Sequence, residues 1–141
     1  MKGFLRFGAL GALALGLSAV PVSAATDIDT RIAVLRGLDK ITGRITTLTT
    51  PVGDTVRFGS LAIIVRACRT RPPEEPPESA AFLDIADIKP NQPPIDVFRG
   101  WMYASSPAVS AMDHPVYDIW VLECREPIQP PPESGNPIET G

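Results

Sequence analysis

With 141 residues, 44% of them apolar and 21% charged, the chain holds enough apolar material for one small core. A net charge of −3 argues against a nucleic-acid partner, which calls for a basic surface. One histidine and two widely spaced cysteines offer no set of three or four convergent metal ligands, so neither a metal site nor a cofactor is expected.

The chain opens on a basic segment, Met1-Lys2-Gly3-Phe4-Leu5-Arg6. An apolar run follows from Phe7 to Val20, and then small residues at Val22-Ser23-Ala24. That order predicts a signal peptide over residues 1–24, cleaved after Ala24. The run is short and glycine-laced for a stable span, which takes about 20 apolar residues; an uncleaved anchor is the alternative. No cysteine follows the cleavage point, so a lipid-modified N-terminus is not expected, and no later segment predicts a membrane span. Loss of Lys2 and Arg6 leaves the exported chain more acidic. The expected organisation is one domain over residues 25–125 and a proline-rich, disordered tail over 126–141, whose EPIQPPPESGNPIETG carries almost no apolar side chain.

Within the domain, Arg31 to Leu38 and the Thr/Ile-rich Ile41 to Thr49 predict strands. In the second, Ile41, Ile45, Thr47 and Thr49 would share one face. Pro51-Val52-Gly53-Asp54 is turn chemistry. Thr55 to Phe58 predicts a short strand, joined by a two-residue type II′ turn at Gly59-Ser60 to the apolar run starting at Leu61. Simple alternation puts Ala62, Ile64, Arg66 and Cys68 on one face of that strand and Leu61, Ile63, Val65 and Ala67 on the other.

Arg71-Pro72-Pro73-Glu74-Glu75-Pro76-Pro77-Glu78 cannot continue a ladder. Its four prolines lack N–H groups and predict a polyproline II segment. Arg66, Arg69 and Arg71 precede it, and Glu74, Glu75 and Glu78 lie inside it. Two readings stand: mutual ion pairing around a rigid loop, or a stiff loop presented for recognition, since a preformed segment loses little entropy on docking.

Ala80 to Ile88, Asp96 to Ala104 and Val116 to Cys124 predict three further strands. Ser106-Pro107 reads as an N-cap with proline at the first helical position, predicting one or two helical turns over Ala108 to Met112. The whole predicts an all-β fold, a small antiparallel sandwich or partly open barrel with one short helix. In an exported chain Cys68 and Cys124 are read as one structural disulfide, with free thiols and redox chemistry as the alternatives.

Catalytic constellations are sparse. His114 neighbours Asp113 and lies near Ser105, Ser106 and Ser110, but residues adjacent on one short segment seldom supply a triad geometry. It is read as a capping or surface histidine, and no catalytic residue is assigned. Trp101, Tyr103, Tyr117 and Trp120 fall on two strands joined by the predicted helix. They fill the core, or they form one surface patch beside Arg99 and the Arg66/Arg69/Arg71 group; the second arrangement would make a protein-binding hot spot.

Two long stretches, GLDKITGRITTLTTPVGDTVRFGSLAIIVRACRTRPPEEPPESAAFLDI and VFRGWMYASSPAVSAMDHPVYDIWVLEC, closely resemble a family of small exported bacterial proteins, domain of unknown function 2155. The likeness covers about Ala33 to Cys124, and the segments RACRTRPPEEPPESAAF and GWMYASSPA are its distinctive parts. It carries no activity and no catalytic residues onto this chain. It implies a periplasmic location. Through a loose association of such genes with an accessory subunit of respiratory complex I, it also implies an inner-membrane complex as partner. The expected function is therefore a non-enzymatic periplasmic protein-interaction domain. A small-ligand or cell-envelope binding module is the alternative, and an enzyme the third and weakest reading.

Overall fold

The computed structural model describes Gly3 and residues 26–129, so the predicted signal peptide, Gly3 apart, and the tail from residue 130 lie outside the described residues. Eight strands form: β1 (Ile28–Asp29), β2 (Ile32–Asp39), β3 (Arg44–Pro51), β4 (Thr55–Phe58), β5 (Leu61–Thr70), β6 (Ser79–Asp87), β7 (Ile95–Tyr103) and β8 (Tyr117–Arg125). They make two antiparallel sheets. The larger runs β1-β5-β6-β7, with β4 also on β5; the smaller runs β3-β2-β8. The sheets are separate, so the chain is an open two-sheet fold and not a closed barrel.

The two sheets share one core. Leu61, Ile63 and Val65 of β5 and Leu83 and Ile85 of β6 meet Leu35 of β2 and Ile119 and Val121 of β8, all essentially sealed from water. These are the β-branched and leucine positions that the alternation points inward, and their burial drives the collapse. The Gly59-Ser60 turn forms as predicted, with positive φ at Gly59 and not at Ser60. At the far end of β2, the Phe58 ring lies flat against Gly37, where an added Cβ would sit 2.9 Å from its ring carbons.

Three strands carry one extra residue. The ladders skip Arg66 in β5, Val97 in β7 and Leu122 in β8. Each bulge inverts the facing of everything after it. The simple alternation expected for β5 therefore fails at its midpoint: Cys68 joins Leu61, Ile63 and Val65 inside, and Ala67 and Arg69 turn out. The bulge at Leu122 does the same for Cys124. Both thiols enter the core from opposite sheets and form the predicted disulfide, with a Cα separation of 5.5 Å.

Other expectations are corrected. No helix forms among the described residues; Ala104 to Ser110 makes isolated turns, such as Val109 N–H to the Ser106 carbonyl. An N-cap and a proline set a starting geometry, but one turn alone does not offset the cost of nucleation. The strand expected from Ile41 begins only at Arg44, leaving Ile41 in the turn before it; Ile45, Thr47 and Thr49 share one face as expected, and it is the exposed one, with Thr46, Leu48 and Thr50 pointing inward. The proline loop is no extended polyproline segment. Glu75 N–H bonds the Pro72 carbonyl and Arg71 N–H bonds the Glu78 carbonyl, so the loop turns back as the end of the β5–β6 hairpin.

Candidate functional site

The outer face of the larger sheet carries the unusual surface. Antiparallel register places Arg69, Ala80 and Tyr103 in one row and Ala67, Phe82 and Trp101 in the next; Ile64, Asp84 and Arg99 follow. Phe82 meets Trp101 edge to face, with centroids 5.6 Å apart. The Arg69 guanidinium lies over the Trp101 ring, 5.2 Å from its centroid. Arg69 Nε also donates to Asp29 Oδ1 at 2.8 Å, which fixes the cation over the ring. Beside this stack is a shallow hollow of about 250 Å³ lined by Asp27, Arg69, Ala80, Trp101 and Tyr103.

The sequence-predicted surface is thus brought together in part. Arg66, Arg69, Arg99, Trp101 and Tyr103 share this face. Arg66 binds Asp84 at 3.1 Å, and Arg99 is exposed with no ion pair among the described residues. The expected pairing of arginines with loop glutamates reduces to one long contact, Arg71 to Glu75 at 3.9 Å. Glu74 is exposed at the loop tip. Trp120 lies on the outer face of the other sheet, opposite Arg36. Tyr117 faces inward against Phe58 and His114. The four aromatics therefore form no single patch. Phe82 was missed, although an aromatic between outward Ala80 and Asp84 was the available signal.

Glu78 is a bracket and not a presented charge. Its Oε1 accepts the Ser79 and Ser105 amides at 3.0 and 3.1 Å, and its Oε2 accepts the Ser105 hydroxyl. Desolvation raises its pKa, but the Ser105 hydroxyl and the two amides, with Arg71, outweigh that and hold it below the ordinary value.

A second polar group is buried at the opposite end of the larger sheet. His114, read as a capping or surface histidine, is only 4% exposed and takes the capping role. Its Nδ1 accepts the Val116 and Tyr117 amides, both at 3.1 Å, so Nε2 carries the proton and donates to Asp87 Oδ2 at 3.2 Å. Lys89 also reaches Asp87, at 3.3 Å. The Ser60 side chain is the largest influence lowering the Asp87 pKa; burial opposes it, and His114 and Lys89 add to it. The Ser60 contact falls outside ordinary hydrogen-bond geometry and leaves Asp87 Oδ1 unpartnered. Serine, histidine and aspartate are all present here, but both imidazole nitrogens are committed. Neither faces a nucleophile, so the cluster is a structural lock. Among the described residues no group of three metal-binding side chains converges, and no helix is long and apolar enough to cross a membrane.

These features define a disulfide-linked two-sheet β domain with an arginine–aromatic face. The chain belongs to the family described as "Uncharacterized protein conserved in bacteria (DUF2155)", whose profile matches residues 33–124. It is also similar to the "Uncharacterized protein RP359" of Rickettsia prowazekii (strain Madrid E), 28% identical over 87 residues. That stretch covers 62% of this chain and 56% of the relative, so the match spans little more than half of that protein. No solved structure matches the chain.

Proposed function

We propose that this protein is an exported, non-enzymatic domain that docks on a protein partner in the periplasm through the outer face of its larger sheet. The observation behind the reading is the Arg69–Trp101–Phe82 stack with Tyr103 beside it, 39% exposed. Arginine and large aromatics dominate binding hot spots, and here they are prearranged on rigid strands, so little ordering entropy is lost on docking. The family resemblance points to a membrane-bound respiratory complex as the partner.

A photo-crosslinking residue at Tyr103 in living cells tests this, with Asp54, exposed in the turn between β3 and β4, as the control position. A discrete protein adduct from position 103, lost when Trp101 is replaced by alanine, is the expected result. Equal adducts from both positions, or none from 103, would refute it. The hollow beside Trp101 supports a second reading, binding of an envelope polymer. Co-sedimentation with purified cell-wall sacculi separates the two.

A further inference from the structure

The outer face of the smaller sheet presents a different surface. β8 is an edge strand of that sheet, and the connection over residues 104–116 runs alongside it. The connection is pinned at both ends: Ala104 N–H bonds the Ser79 carbonyl, and Lys40 Nζ donates to the His114 carbonyl. Met112 anchors it to the core. Between connection and sheet lies a hollow of about 440 Å³, walled by Leu38, Ala108, Ala111, Met112 and Trp120 among others. The apolar surface continues past its rim. Ile45, opposite Leu38 in the ladder, is 57% exposed, and Val109 on the connection is 74% exposed.

One cation stands in this apolar setting. Arg36 is directly opposite Trp120 and two residues from Leu38 on the same face. Its Nε is sealed from solvent with no hydrogen-bond partner, and Arg36 makes no ion pair among the described residues. The neighbouring carboxylates are committed, Asp118 to Lys40 at 3.4 Å and Glu123 to Arg125 at 3.1 Å. A buried guanidinium donor without an acceptor is costly, and its planar fork matches a carboxylate.

We propose that this face is a second docking site, for a partner-protein segment that carries an apolar side chain next to an acidic residue. The apolar group fills the hollow against Trp120, and the carboxylate accepts from Arg36. The patch, reaching from Ile45 to Val109, is broader than a small carboxylate ligand needs and is of the kind that marks protein contacts. The site is independent of the arginine–aromatic face, so the domain would hold two partners or two parts of one.

The test is a random heptapeptide phage library panned against the exported chain, with the enriched sequence then synthesised and titrated by calorimetry. Enrichment of a large apolar residue within two positions of Asp or Glu is expected. Arg36→Gln should weaken that peptide by about tenfold or more. Ala111→Glu, at an exposed position the core does not use, should abolish binding, and Arg69→Ala should leave it unchanged. No enrichment, enriched sequences without an acid, or undiminished binding to both site variants would overturn the proposal. So would loss of binding in Arg69→Ala alone. Reversible dimerisation in sedimentation that Ala111→Glu abolishes would assign the face to a second copy and overturn it equally. The Tyr103 crosslinking result stands or falls separately.

Discussion

Replacing Cys68 and Cys124 together by alanine should destabilise the domain by about 4 kcal/mol. The link joins residues 56 apart in sequence, and tying a loop of that length removes about 14 cal/mol/K from the unfolded chain in the chain-entropy account. Both side chains are nearly fully buried between the sheets, so their removal also loosens core packing and adds to the loss. A small domain has about 5–15 kcal/mol in total, so the variant folds with little margin. With a urea m-value of about 1–2 kcal/mol/M, the unfolding midpoint should fall by about 2–4 M. Tryptophan fluorescence and far-ultraviolet circular dichroism would follow the transition. Wild type unfolded under reducing conditions should fall by a similar amount, because it frees the same loop. A loss below about 1 kcal/mol in both experiments would refute the reasoning and show that the sheets hold together by burial alone.

Deleting Arg66 should turn β5 into an unbroken ladder that keeps Ala67 opposite Phe82 and Cys68 opposite Ala81, so the disulfide should still form and alkylation followed by mass spectrometry should find no free thiol; two alkylatable thiols would refute this reading of the bulge. Gly59→Ala should cost more than about 1 kcal/mol, because its φ of +56° is strained for other residues and the Tyr117 ring lies against it; a thermal melt measures this. Glu78 and Asp87 both have folded-state pKa values below their unfolded ones. Their contribution is complete above the unfolded carboxylate values, about 4, and is lost as pH falls through the lower folded values. Melting temperature should therefore hold from pH 7 to about 5 and drop below about 4, with Glu78→Gln flattening the acid limb. Trp101→Ala should leave the melting temperature within a few degrees of wild type, as its ring packs on the outer face and not in the core.

Most strands were legible because each carries its own local signal. Leu61 to Val65 is β-branched and apolar, and Gly59-Ser60 is a turn that few residues allow. The bulges were not legible. A bulge at Arg66 or Leu122 leaves no mark in the composition, yet relative to simple alternation it reverses the facing of every residue downstream. The helix expected after Ser106 failed for the opposite reason: a clear local signal had no partner surface to reward it. Trp120 was misplaced beside Trp101 because sequence nearness says nothing about which sheet a strand joins.

The Arg66 bulge ties the scaffold to the candidate site. Without the bulge, with Arg66 taking a ladder position of its own, β5 would carry Leu61, Ile63, Val65, Ala67 and Arg69 on its inner face and Cys68 on its outer face. The core would then contain an arginine, and the disulfide could not bridge the sheets. With it, Cys68 reaches Cys124, and in the same step Arg69 swings out over Trp101 and onto Asp29. Burying a guanidinium among Leu83 and Val121 would be far more costly than leaving one ladder position unpaired. For this sequence the bulge is therefore favoured over regular pairing on stability alone, before any partner is considered. The exposed cation–aromatic stack follows from the same event that closes the core, which is why it sits on paired strands and not on a loop.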